Sequence, residues 1–101
     1  MFRLASFDLF GRRILILENE DDIAARMAEE IAASGGLVVG PVQTVELALA
    51  LIRGHGRVDC VMLDVRLACE TALPVVSAFR ELSVETVFVT GFDDWFLAHD
   101  S

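Results

Sequence analysis

Val61-Met62-Leu63-Asp64-Val65-Arg66-Leu67 is an apolar run that rises to one aspartate, after which the chain turns to short and polar side chains at Ala68-Cys69-Glu70-Thr71. A continuous apolar run of this kind reads as a strand buried on both faces, as in a parallel sheet. The end of such a strand lies at the sheet's carboxyl edge, where open α/β sheets bind their ligands. A carboxylate there is costly to keep without a partner or a task. Taken alone, Asp64 also fits a solvated residue that opens a loop. Two other strand ends change that weighting.

Outward from this run, the chain alternates short β-rich stretches with helical periodicity. Arg13–Leu17 (RILIL) reads as strand one and ends in Glu18-Asn19-Glu20-Asp21-Asp22, four carboxylates and an amide in five residues. Ile23, Met27 and Ile31 then recur every four residues, with Ala24 and Ala28 beside them, which predicts a helix closed by Ser34-Gly35-Gly36. Asp21 and Asp22 suit the positive end of its dipole. Leu37–Val39, before Gly40-Pro41, reads as strand two, and Thr44 as the N-cap of a helix over Val45–Arg53. Val58–Leu63 is strand three. A third helix begins at Thr71 or Ala72, with Pro74 tolerated in its first turn, and Val75, Val76, Phe79 and Leu82 on its apolar face. Glu85–Val89 is strand four, ending at Thr90-Gly91. Phe92, Trp95 and Phe96 follow at helical spacing. Strands alternating with helices predict a parallel sheet with right-handed crossovers.

The 101 residues predict one domain. A hydrophobic content of 54% supplies a core and a surplus for an interface. The formal charge of -8 argues against a nucleic-acid surface, which needs a basic patch. All eight basic residues are arginine. Cys60 reads as a core residue and Cys69 as a loop thiol. His55 and His99 share no ligand spacing with them, so zinc is not expected. No run reaches transmembrane length. Asp8 interrupts the apolar Met1–Phe10 stretch and no small-residue cleavage site follows, so no signal peptide is read and the chain is expected in the cytoplasm.

In a parallel sheet the strands deliver Glu18 and Asn19, Asp64, and Thr90 to one rim. Oxygen donors of this kind suit Mg²⁺, which takes one or two carboxylates with water and phosphate. A carboxylate beside the metal can accept a phosphoryl group, and a hydroxyl can hydrogen-bond its oxygens.

At this point ILILENE (14–20), VMLDVRL (61–67) and VFVTGFD (87–93) resemble the acidic, phosphoacceptor and switch strands of a response-regulator receiver domain in two-component signalling. VVGP (38–41) and TVFVTGF (86–92) resemble the FATGUY-type receivers of alphaproteobacteria. The resemblance runs from about Arg13 to Asp94. It implies a flavodoxin-like, three-layer αβα fold with a parallel sheet in the order 2-1-3-4. The single domain spans 1–101, with an N-terminal arm at 1–11, a receiver core at 12–91 and a C-terminal stub at 92–101. The resemblance also implies that Asp64 is the phosphoacceptor and that Glu18 holds Mg²⁺ through water. Arg66 would offer its backbone carbonyl to the metal, Thr90 is the switch hydroxyl, and Gly91 keeps the phosphoryl group accessible.

Two departures stand out. Asn19 occupies the place of a second acid, which predicts weak Mg²⁺ binding, with Glu20 as a stand-in if the loop bends. Receivers also carry a fifth βα unit whose lysine pairs with the phosphoryl group. Here that unit is missing and no lysine exists, leaving Arg66 as the nearest cation in sequence. Without strand five, strand four is expected as an open edge. A homodimer is then predicted through that edge, the stub or the N-terminal arm, unless the tail folds back over it within one chain. The implied partners are a histidine kinase or phosphotransfer protein, with the signal passed on by partner binding, and neither nucleic acid nor membrane. The alternative is a degenerate receiver acting as a phosphorylation-independent interaction or dimerisation module. An aspartate-nucleophile phosphatase is disfavoured, because Arg66 stands where that chemistry wants a second acid. A nucleotide-binding flavodoxin relative is disfavoured too, because no glycine-rich loop follows strand one.

Overall fold

A computed structural model describes residues 9–55, 57–64, 72–90 and 94–97. The elements run β1 (Arg13–Leu17), α1 (Asp21–Ala33), β2 (Leu37–Val42), α2 (Val45–His55), β3 (Cys60–Asp64), α3 (Ala72–Glu81), β4 (Glu85–Thr90) and β5 (Asp94–Leu97). The sheet order is β2-β1-β3-β4-β5. The first four strands are parallel, in the order the sequence predicts. The central strands carry the apolar runs. All five residues of β3 are buried, as are the last four of β1.

Alternation along these strands makes two cores. Ile14, Ile16, Cys60, Met62, Val87 and Val89 pack with Ile23, Met27 and Ile31 of α1. Leu15, Leu17, Val61, Leu63 and Phe88 face the other way, in one cluster with Ala48 and Ile52 of α2 and Val75, Val76 and Phe79 of α3. α1 and α3 present the apolar stripes read from their sequences, whereas on α2 Ala48 and Ile52 are buried and Leu47, expected on the same face, is exposed. Thr44 caps α2 as expected, its Oγ1 accepting the Leu47 N–H at 3.1 Å. α1 ends where predicted. The Gly36 N–H returns to the Ile31 carbonyl at 2.9 Å, and Gly35 takes φ +83, where a side chain would be strained and would run into the Phe10 ring. At the amino edge, the Arg13 N–H donates to Asp59 Oδ2 at 2.7 Å and the Asp59 N–H to the Arg13 carbonyl at 2.8 Å, which fixes the start of β1 against β3.

The chain departs from expectation after β4. Asp94–Leu97 is a strand, not a helical stub, and pairs antiparallel with β4. Its register sets Val87 opposite Leu97, Phe88 opposite Phe96, Val89 opposite Trp95 and Thr90 opposite Asp94. The reason is chain length. Three residues separate Thr90 from Asp94, whereas a parallel neighbour needs a crossover of roughly a dozen or more. Such a short connection permits only a hairpin. The open edge expected at strand four is therefore paired within the chain. β2 runs three residues past its predicted end, α2 reaches His55, and β3 takes in Asp64. Most of the N-terminal arm (1–8), Cys69, and the helix start at Thr71 lie outside the described residues.

Cys60 is fully buried and free, as its place in the apolar run suggests. Burial pushes its thiol from 9.0 up to about 12, because the thiolate loses its hydration in the core. Between those values the unfolded chain releases a proton that the folded chain keeps, so stability falls as pH rises through this window. Urea melts from pH 8 to 11 should show this decline, and Cys60→Ala should flatten it. An equal slope in the variant would assign the decline to other groups.

Candidate functional site

The register of three strands builds the site. Leu17 pairs with Leu63, so Glu18 and Asp64 are the next residues along neighbouring parallel strands. Asp64 in turn pairs with Val89, one residue before Thr90. The sheet thus brings Glu18, Asp64 and the backbone of Thr90 to one carboxyl edge, as predicted. Arg66 and Gly91, the other two positions assigned by resemblance, lie outside the described residues.

The two carboxylates are not surface groups. Glu18 is 2% exposed and Asp64 4%. Glu18 is held from both sides: its N–H donates to the Val42 carbonyl at 3.0 Å, and its Oε2 accepts the Glu20 N–H at 3.0 Å. The second bond turns the chain out of β1, so that α1 starts at Asp21 with Glu20 as its N-cap residue. Asn19 and Glu20 are both exposed, as are Asp21 and Asp22 in the first turn of α1. The positive end of the α1 dipole therefore adjoins the rim and offsets part of this negative charge.

Two buried carboxylates on adjacent strands repel each other, and such a pair is costly unless a cation or proton joins them. Among the described residues no group of three or more His, Cys, Asp or Glu side chains gathers as a metal site. Two buried carboxylates at one strand edge, with the exposed Asn19 next in sequence to Glu18, suit a hard cation that keeps much of its water, which is the habit of Mg²⁺. They do not suit zinc, which takes nitrogen and sulfur. Sequence reasoning found Glu18 and Asp64. It did not find the Val42 carbonyl or the Glu20 N–H that orient Glu18, because backbone contacts leave no mark in residue type.

Asn19→Asp adds a charge next to Glu18 and should tighten Mg²⁺ binding about fivefold, the roughly 1 kcal/mol at the upper end for an exposed ion pair. The reporter is Trp95, the chain's one tryptophan, whose strand partner Val89 is also the partner of Asp64. An unchanged midpoint in a Mg²⁺ titration of Trp95 fluorescence would place Asn19 outside the donor set.

No family model and no curated protein sequence matches the chain. The chain is similar to the solution structure of the BeF3-activated conformation of SdrG from Pseudomonas melonis Fr1, with 34% sequence identity and a TM-score of 0.64. The match covers 75% of this chain and 64% of that one, so the chain spans less than two thirds of the length of the structure it resembles. No helix among the described residues is long and apolar enough to cross a membrane. A parallel sheet in the order β2-β1-β3-β4, with α1 packed on one face and α2 and α3 on the other, together with this likeness gives the chain the flavodoxin-like α/β fold expected of a receiver domain.

Proposed function

We propose that this domain accepts a phosphoryl group on Asp64 and passes the signal on by binding a partner. The observation that carries the reading is the adjacency of Glu18 and Asp64, buried side by side at the end of two central strands. The donor would be a phosphohistidine on a histidine kinase or phosphotransfer protein. An Asp64 carboxylate oxygen attacks phosphorus, the P–N bond breaks, and the electron pair returns to the imidazole. Glu18, Asn19, Asp64 and the Arg66 carbonyl would hold Mg²⁺, which would supply neutralising charge. Glu18 is fixed through its Oε2, so its carboxylate is oriented before any ligand arrives. The Thr90 hydroxyl is the switch group that hydrogen-bonds the transferred phosphoryl. The chain acts as a cytoplasmic signalling domain rather than as an enzyme with turnover.

A likeness to a BeF3-activated structure supports this reading. Asn19 supports a second one, a degenerate receiver that binds its partner without phosphorylation. In either case β4 is already paired, which leaves the terminal segments for the proposed homodimer. Light scattering that gives a monomer mass at all concentrations would remove the homodimer from the account.

Thermal melts separate the two readings. With Mg²⁺ and beryllofluoride, the first reading predicts added stability of about 2.7 kcal/mol at 100 times the dissociation constant, lost in Asp64→Asn. A wild-type melt that does not move with any Mg²⁺ and beryllofluoride concentration would favour the degenerate receiver.

A further inference from the structure

One face of the sheet is better buried than the described elements account for. Cys60 and Met62 of β3 and Val87 of β4 are fully buried, and Val89 of β4 is 6% exposed. They share one core with α1. α1 itself lies along β1 and β2, while α2 and α3 pack on the opposite face. Among the described residues no helix therefore roofs β4 on this side. The neighbouring strands do not replace one. They lie beside Val87 and Val89 in the plane of the sheet, and a sheet face is closed to water only by a second layer packed on it.

The turn that leads into β1 points to the cover. Leu9 is buried and belongs to this same core. Its carbonyl accepts the Arg12 N–H at 3.0 Å, Gly11 sits at φ +75, and the Gly11 N–H donates to the Gly35 carbonyl at 2.9 Å. A bond from residue i+3 back to residue i closes a chain-reversing turn. A chain that enters this turn runs against β1, on the face where Leu9 is buried. Residues 1–8 (MFRLASFD) bring Phe2, Leu4 and Phe7 to that entry. The other candidates are poorer. Residues 98–101 (AHDS) offer one apolar side chain, residues 91–93 are taken up by the short connection from β4 to β5, and residues 65–71 lead to α3 on the opposite face. Reach is sufficient. β4 lies two strand spacings from β1, roughly 10 Å, and eight residues span roughly 26 Å extended or roughly 12 Å as a helix.

We propose that residues 1–8 dock on the β3–β4 face of their own chain, with Phe2, Leu4 and Phe7 over Met62, Val87 and Val89. The arm supplies the second layer that this half of the sheet needs. It also touches Val89, the strand partner of Asp64, and so lies one residue pair from the acidic rim. The inference stands apart from the phosphoacceptor reading, and it leaves residues 98–101 as the terminal segment to serve the homodimer proposed above.

The test is a set of methyl-to-aromatic nuclear Overhauser spectra on the full chain. Cross-peaks are expected from the methyls of Met62, Val87 and Val89 to the ring protons of Phe2 and Phe7. In an equal mixture of isotope-labelled and unlabelled chain, filtered for contacts between copies, the same cross-peaks should be lost. The proposal is overturned if these methyls meet no proton of residues 1–8. It is equally overturned if the cross-peaks survive the filter, because the arm on this face would then belong to a second copy.

Discussion

The structure depends on one constraint: the in-register parallel pairing of β1 with β3 and of β3 with β4. Leu17 opposite Leu63 makes Glu18 and Asp64 neighbours, and Asp64 opposite Val89 brings Thr90 to the same edge. A slip of one residue would turn the apolar alternation inside out. The two cores on either face therefore enforce the geometry of the rim. The carboxylates are buried because the strands that carry them are central.

The hairpin after β4 changes how the sheet is finished. A parallel fifth strand would come with a crossover helix. Asp94–Leu97 instead returns antiparallel and closes β4 with local hydrogen bonds. This ties the backbone of β4 to the segment that holds Trp95, with Val89 shared between Asp64 on one side and Trp95 on the other. A change at Asp64 has a two-strand route to that segment through backbone pairing alone.

Much of this was legible in the residues. The continuous run at Val61–Leu63 marked a central strand. The four-residue recurrence of Ile23, Met27 and Ile31 marked α1, and Thr44 marked the start of α2. Asp64 and Glu18 were found because charge at the end of an apolar run is anomalous. The β5 strand was misread because Phe92, Trp95 and Phe96 satisfy helical spacing by chance in a short segment. The better signal was a glycine-containing gap of three residues between two aromatic and β-branched runs, which is a hairpin pattern.

The central claim is that Asp64 takes a phosphoryl group, and intact-protein mass spectrometry after incubation with acetyl phosphate and Mg²⁺ tests it most directly. The account predicts the added mass of one phosphoryl group, removed by hydroxylamine as an acyl phosphate should be, and absent from Asp64→Asn. A folded wild-type chain that gains no mass, or an Asp64→Asn chain that gains the same mass, would contradict it.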